Sequence, residues 1–314
     1  MVALAGNGRS AALRRVIFAF IVLGVLDPAF ASEPTFIHFT NYRAVFRVPT
    51  SGGAPEQWIP EGIHGWIPGI AIDDSRRIVY WVDNDYLAPF ASIVGRSLEG
   101  GNAYSVVSMH DPSVEFFGEL DLDEQAGFIY WSSERDSGSI LRVDLDGSDI
   151  RTVASVAGSN IKGLVAHSTG YIFWTTHEGA PGSGAIRRAR STGGEVEEYL
   201  GGVDEPFALA VGPDSLLYWT DIVSGCIHRT DARSPTMFTV LDGLESPSGL
   251  AFDKSTGRMY WGEGNSIGRL QSATAAGTDV TNIATGHWPI AIAVAPANIA
   301  VDRARWGEVK RKFR

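Results

Sequence analysis

The 314-residue chain holds a single cysteine, Cys226. No disulfide can close within it, so a packed core must do the work that covalent staples do elsewhere. Long apolar runs are missing too. Residues 16–26 form an apolar run of eleven, against about twenty for a spanning helix, and no other stretch could cross a bilayer. Positive charge is in deficit: 26 Lys and Arg against 36 Asp and Glu give −10. That balance argues against a general nucleic-acid binder. There is no G-x-S-x-G nucleophile elbow. Asp83-Asn84-Asp85-Tyr86 starts like a calcium loop but lacks the Gly and distal Glu of an EF-hand.

Two terminal segments stand apart in composition. Arg9, Arg14 and Arg15 precede the short apolar run, and Ala29-Phe30-Ala31 offers an A-x-A cleavage site. Residues 1–31 therefore read as a secretory signal peptide, which predicts a secreted or periplasmic protein with no transmembrane segment after its removal. Residues 297–314 carry Arg303, Arg305, Lys310, Arg311, Lys312 and Arg314. They read as a solvated basic tail, or as a weak contact with an anionic surface, using Trp306 and Phe313 as apolar partners.

Between them lies a repeat. Aromatic pairs open Tyr80-Trp81-Val82-Asp83, Tyr130-Trp131-Ser132-Ser133, Phe173-Trp174-Thr175-Thr176, Tyr218-Trp219-Thr220-Asp221 and Tyr260-Trp261-Gly262-Glu263, at intervals of 50, 43, 45 and 42 residues. A period in the forties, carried by short aromatic strands, marks a radial β repeat. Upstream of each pair runs a strand of small residues, starting at Gly69, Glu119, Gly163, Ala208, Gly249 and Ala291. Downstream runs an apolar-x-Arg column: Val45/Arg47, Val94/Arg96, Ile140/Arg142, Ile186/Arg188, Ile227/Arg229 and Ile267/Arg269. Both columns have six members, and His38-Phe39-Thr40-Asn41 supplies the sixth aromatic strand.

These columns resemble the YWTD-repeat propellers of the low-density lipoprotein receptor class B type, over residues 35–296; Tyr218-Trp219-Thr220-Asp221 reproduces the name motif. The resemblance implies an all-β, six-bladed β-propeller with four-stranded antiparallel blades over residues 32–296. Because the chain starts in a second strand near residue 36 and ends its repeats in a first strand at 290–294, the last inner strand is expected to complete the sheet opened by the N-terminal three. Receptors of this family surround the propeller with cysteine-rich modules. The lone cysteine points instead to a bacterial-type exported single-domain member.

A residue that recurs in every blade marks the scaffold, and function lives in departures from it. The sharpest departure is Glu119 with Asp121, at inner-strand positions where the other blades carry small or apolar residues. Alternate residues share a face, so two acids would meet in the channel. Two solutions are open: a salt bridge to Lys162 or a neighbouring Arg, or a divalent cation, calcium or magnesium, held by Glu119, Asp121 and Asn160. The second departure is aromatic. The segments leading into the inner strands carry His64, Trp66, Phe116, Lys162, Phe207, His287 and Trp288, which plug the channel mouth or line a ligand pocket there. His64/Trp66 and His287/Trp288 are expected side by side across the ring seam. Cys226 is expected as a small buried side chain, and His167 as a satisfied core histidine. The resulting functional expectation is a binding module for a protein, peptide or small molecule through the loop face. The alternative is a metal-dependent, lactonase-like hydrolase or lyase at the channel mouth.

Overall fold

The computed structural model describes residues 35–41, 43–59, 65–85, 90–110, 116–133, 138–155, 160–177, 179–264 and 266–295. The segments expected to form a signal peptide and a basic tail, and His64, lie outside them. Among the described residues every regular element is a strand, and the strands form six antiparallel sheets. Blade one has inner strand Ile70–Asp73, then Ile78–Asp85, Phe90–Ser97 and Tyr104–His110, with Gly65–Trp66 added beside the end of its second strand. Inner strands Phe117–Asp123, Asn160–His167, Pro206–Val211 and Pro247–Phe252 open blades two to five. Blade six joins the two ends of the propeller: Ile292–Ala295 pairs with Phe36–Asn41, which continues to Ala44–Pro49 and Glu56–Gln57. The expected ring closure is present.

Strand alternation explains the aromatic pair. Successive side chains point to opposite faces, so Tyr and Trp of one motif enter different inter-blade seams. Tyr80 packs with Trp131, Tyr130 with Trp174, Phe173 with Trp219, and Tyr218 with Trp261. Tyr260 meets Phe39, which occupies the Trp position of blade six. Large flat rings fill the wedge between diverging sheets, and each buries substantial apolar area.

The Thr of the motif has a more specific task. Inner and second strands are offset by a bulge, between Ile161 and Leu164 in blade three and between Pro206 and Leu209 in blade four. A bulge drops an amide out of the ladder, and a buried amide needs a partner. Thr175 Oγ1 accepts the freed Gly163 N–H (2.7 Å) and donates to the Phe207 carbonyl of blade four (2.8 Å). Thr220 repeats this between Ala208 N–H (3.1 Å) and the Ser248 carbonyl of blade five (2.8 Å). One hydroxyl thus mends a bulge and ties one blade to the next. Blade five carries Gly262 there instead, because a Cβ would stand 2.2 Å from the Pro289 carbonyl of blade six. The hydroxyl comes from the inner strand: Ser248 Oγ donates to that same carbonyl at 2.7 Å.

The third strands correct two register expectations. Tyr80 lies opposite Gly95, and Tyr260 opposite Ser272. The true column is therefore Val45/Arg47, Ile93/Gly95, Ile140/Arg142, Ile186/Arg188, Ile227/Arg229 and Leu270/Ser272. Val94/Arg96 is one residue out of phase and Ile267/Arg269 three. In-register arginines cover aromatic rings: Arg47, Arg142 and Arg188 lie 4.8, 4.2 and 4.4 Å from the centroids of Phe36, Phe128 and Tyr171. Blade five, lacking that arginine, brings Arg258 to Ser272 Oγ from the second strand (3.1 Å). Outer edges are partly covered by the neighbouring turn, where Gly147 and Gly277 approach the carbonyls of Val106 and Val240 so closely that a Cβ would sit at 2.4 and 2.3 Å. Cys226 is half-exposed rather than buried, its Sγ 3.3 Å from the Ser224 carbonyl. His167 is a satisfied core histidine, with Nδ1 accepting from the Thr169 N–H (3.1 Å) and Nε2 3.0 Å from the Ser215 carbonyl.

Candidate functional site

The six inner strands enclose an axial cavity of about 330 Å³. Apart from Phe252 its uncharged walls are small or aliphatic, as crowding at the axis requires, and its charged lining residues are Asp74, Glu119, Asp121 and Lys254. Glu119 and Asp121 thus share the channel face, as their alternation predicts. Burial pushes the Asp121 carboxyl up to about 6, against the opposing effect of the Ala166 and Leu122 amides. The Ala166 N–H of the next inner strand donates to its Oδ2 at 2.8 Å.

Lys254 crosses one mouth of this cavity. It follows the inner strand of blade five, yet its Nζ lies 3.2 Å from Asp74 Oδ2 of blade one and 2.5 Å from Glu124 Oε1 of blade two. Burial pulls this ammonium down, but the hydrogen bond to Glu124 and the two carboxylate charges outweigh it and raise its pKa. The lysine charge also bears on Asp121. Lys162 is placed elsewhere, its Nζ 5.9 Å from the centroid of the Trp66 indole. Asn160 begins its strand exposed, opposite His177, and is not among the cavity-lining residues. Among the described residues no three His, Cys, Asp or Glu side chains form a group that could hold a metal ion.

The opposite face is built from the fourth-to-first connections and the second-to-third loops, which antiparallel alternation puts at the same end. Trp66 and Lys162 come together there. Phe116 and Phe207 are half-buried. Phe117, beside Phe116, is tied to blade one, because the Asn84 amide donates to its carbonyl (2.7 Å) and accepts its N–H (3.0 Å). His287 turns back onto the closing blade, its ring centroid 4.2 Å from that of Phe46, and burial pushes its imidazole down. Trp288 lies over Gly264 of blade five, where a Cβ would sit 2.5 Å from the indole, and donates Nε1–H to Ser248 Oγ at 3.1 Å. The His287/Trp288 pair thus contacts blades six and five, and His64, expected beside it, lies outside the described residues.

Two residues of this face escaped the sequence reading. Val223 and Ile267 are 56% and 59% exposed, and Trp288 is 36% exposed. Val223 lies in the second-to-third loop of blade four and Ile267 in that of blade five. The Ile267 carbonyl accepts the Gly286 N–H (3.0 Å), two residues before Trp288, so Ile267 and the Trp288 segment adjoin. Ile267 was concealed by its place in the arginine column: three residues out of phase, it looked like a strand residue.

The fold and its channel define a six-bladed β-propeller. No protein-family model matches the chain. It is 24% identical over 245 residues to a protein named low-density lipoprotein receptor-related protein 1 from Pyricularia oryzae, covering 66% of this chain and 78% of that one. The nidogen/laminin complex contains a chain that superimposes with a TM-score of 0.69 at 18% identity, covering 83% of this chain and 98% of that one. Virginiamycin B lyase from Staphylococcus aureus superimposes with a TM-score of 0.53 at 19% identity, covering 71% and 70%. Repeat, closure and relatives agree on the fold: the chain is a six-bladed propeller similar to those of the low-density lipoprotein receptor-related proteins. Among the described residues no helix is long and apolar enough to cross a membrane.

Proposed function

We propose that this propeller is a recognition module and that its loop face carries the partner. The observation that supports this most is the adjoining exposed pair Ile267 and Trp288, with Val223 in the equivalent loop of the next blade. Large apolar side chains grouped on one face mark interaction sites, whereas single ones need no explanation. A partly buried indole held by a hydrogen bond is a typical interface anchor. Trp66 and Lys162 extend the surface toward the channel mouth. Nidogen, in its complex with laminin, is a structural relative that binds another protein. The reading extends to a secreted or periplasmic location, as the signal-like N-terminus suggests.

The test is pull-down or biosensor capture of a partner by the purified chain. Trp288→Ala and Ile267→Asp are expected to weaken that complex tenfold or more, about 1.4 kcal/mol each, while both free variants remain folded at the assay temperature. Equal binding by both variants removes this face from the reading.

Asp121 supports a second reading, a hydrolase or lyase site in the cavity with Glu119 and Asp121 as the working carboxylates or two ligands of a divalent cation; Asn160 would have to move to join them. A buried carboxyl near 6 suits general acid–base work. The same shift has a stability consequence. Asp121 binds its proton more tightly folded than unfolded, so the folded state loses stability as pH rises from about 4 to 6. Asp121→Asn removes that loss. The melting temperature of the variant relative to wild type is expected to climb between pH 4 and pH 7, with metal analysis of both proteins testing the cation. A constant difference across that range shows that Asp121 does not titrate as described.

A further inference from the structure

The Tyr position of the motif is aromatic in every blade, but only blade six fills it with a group that titrates near neutrality, His38. That blade closes the ring. His38 lies opposite Arg47 of the third strand and Ala293 of the C-terminal inner strand. It is 2% exposed, its ring edge-on to Trp58 at 5.0 Å between centroids, with Phe36 at 6.5 Å. Neither ring nitrogen has a hydrogen-bond partner among the described residues. Elsewhere the position is satisfied: Tyr218 donates its hydroxyl to Asp214 Oδ2 at 2.8 Å.

Among the described residues, the charged groups that bear on the ring are both cations. Arg47 comes from its own sheet, and Arg77 from the turn between the first two strands of blade one, across the seam. The carboxylates in the neighbourhood are already committed: Glu56 pairs with Arg47, and Glu99 lies 3.9 Å from Arg77 Nε. Among the described residues, a proton on His38 would meet two like charges, no hydrogen-bond acceptor and an indole edge. Burying such a charge is costly, and the outcome is loss of the proton or loss of the burial.

We propose that His38 is an acid-sensitive latch in the ring: protonation ejects the imidazole from the seam between blades six and one and opens the closing sheet before the other blades yield. The residue it displaces is the device. A tyrosine would have closed the ring without pH dependence, and blades one, two, four and five use one. Burial, reinforced by Arg47 and then Arg77, pushes the imidazole down to about 3 from its ordinary 6.5. The unfolded or opened state therefore binds the proton first. The closed form is fully favoured above pH 6.5 and loses a factor of ten per pH unit below it, down to about pH 3. Ordinary carboxylates contribute acid sensitivity only nearer pH 4. His287, packed on Phe46 of the same sheet, and His228 of blade four are also pushed down by burial, and Asp121 acts in the opposite sense, so the His38 variants are what assign the drop to His38.

Hydrogen exchange resolved by segment tests this on the full chain at pH 7.5 and pH 5.0, corrected for intrinsic rates. Protection of Phe36–Asn41 and Ile292–Ala295 is expected to fall about thirtyfold at the lower pH, with the inner strands of blades three and four unchanged. His38→Tyr restores the residue of the other blades and is expected to abolish the drop. His38→Phe removes the titrating group without adding a hydroxyl to accommodate, and is expected to do the same. Equal loss of protection in wild type and the folded variants, or parallel loss in all blades, overturns the latch. So does a wild-type closing sheet as protected at pH 5.0 as at pH 7.5.

Discussion

Trp219→Ala is expected to cost about 3–5 kcal/mol of folding stability, the range for deleting a buried aromatic ring. Trp219 is fully buried, in the seam where blade four meets blade three, packed in one cluster with Phe173, Ile186 and Tyr199. Its neighbours are committed elsewhere and cannot collapse inward. Phe173 is held in its own strand, and the Tyr199 hydroxyl bonds the Asp231 carbonyl of blade four. The cavity therefore stays open and the upper half of the range applies. Denaturant unfolding measures the loss as a lower midpoint with an unchanged slope. Trp288→Ala is the comparison within the same protein: a tryptophan too, but at the loop face and partly exposed, where losing the ring and its hydrogen bond to Ser248 should cost about 1–2 kcal/mol, clearly less than Trp219→Ala. If the two variants are equally destabilised, the division between scaffold and surface tryptophans fails.

The ring was legible in the sequence because radial packing repeats the same demand in every blade. Each seam needs one Tyr-type and one Trp-type ring, so the pair recurs and supplies its own register. Closure was legible for the same reason: a count beginning at a second strand and ending at a first strand has one way to complete six sheets. The third-strand errors have the opposite cause. Gly95 and Ser272 break the arginine column, Gly95 because a Cβ there would lie 2.8 Å from the Tyr104 ring, and Ser272 because Arg258 takes over from the second strand. A column with substitutes drawn from other strands cannot be aligned from spacing alone. Glu119 and Asp121 stood out as misfits and do face the channel. The residue that spans its mouth, Lys254, did not stand out, because its partners Asp74 and Glu124 lie far away in sequence and a solitary lysine after a turn looks like solvent-exposed punctuation.

The motif carboxylate yields the other large effect. Asp221 is 1% exposed, and it organises two loops at once. Its Oδ2 accepts the N–H groups of Asp204 and Glu205, both at 3.1 Å, in the connection entering blade four, and its Oδ1 accepts that of Ser224 at 3.0 Å in the following loop. Asp221→Ala leaves three backbone donors in a partly closed site with no side-chain acceptor, each costing about 1–3 kcal/mol when water cannot reach it. Water reaches the exposed side of the loops and offsets part of that sum, so a loss of about 3 kcal/mol is expected, with early proteolytic cleavage near residues 204–205. Blade five provides an internal comparison. Glu263 replaces the aspartate, and its Oε2 takes the Arg269 guanidinium at 2.6 Å and the Glu245 N–H at 3.4 Å. The longer side chain recruits a cation because it reaches past the amides. Glu263→Gln keeps one acceptor oxygen but loses the ion pair, so it should cost less than Asp221→Ala and lose stability that depends on salt. Asp221→Asn retains the acceptor geometry at one oxygen only, and should fall between wild type and the alanine variant. An alanine variant as stable as wild type would mean that the motif aspartate is not what holds these loops, and that the structural work of Tyr218-Trp219-Thr220-Asp221 is done by its rings and its threonine alone.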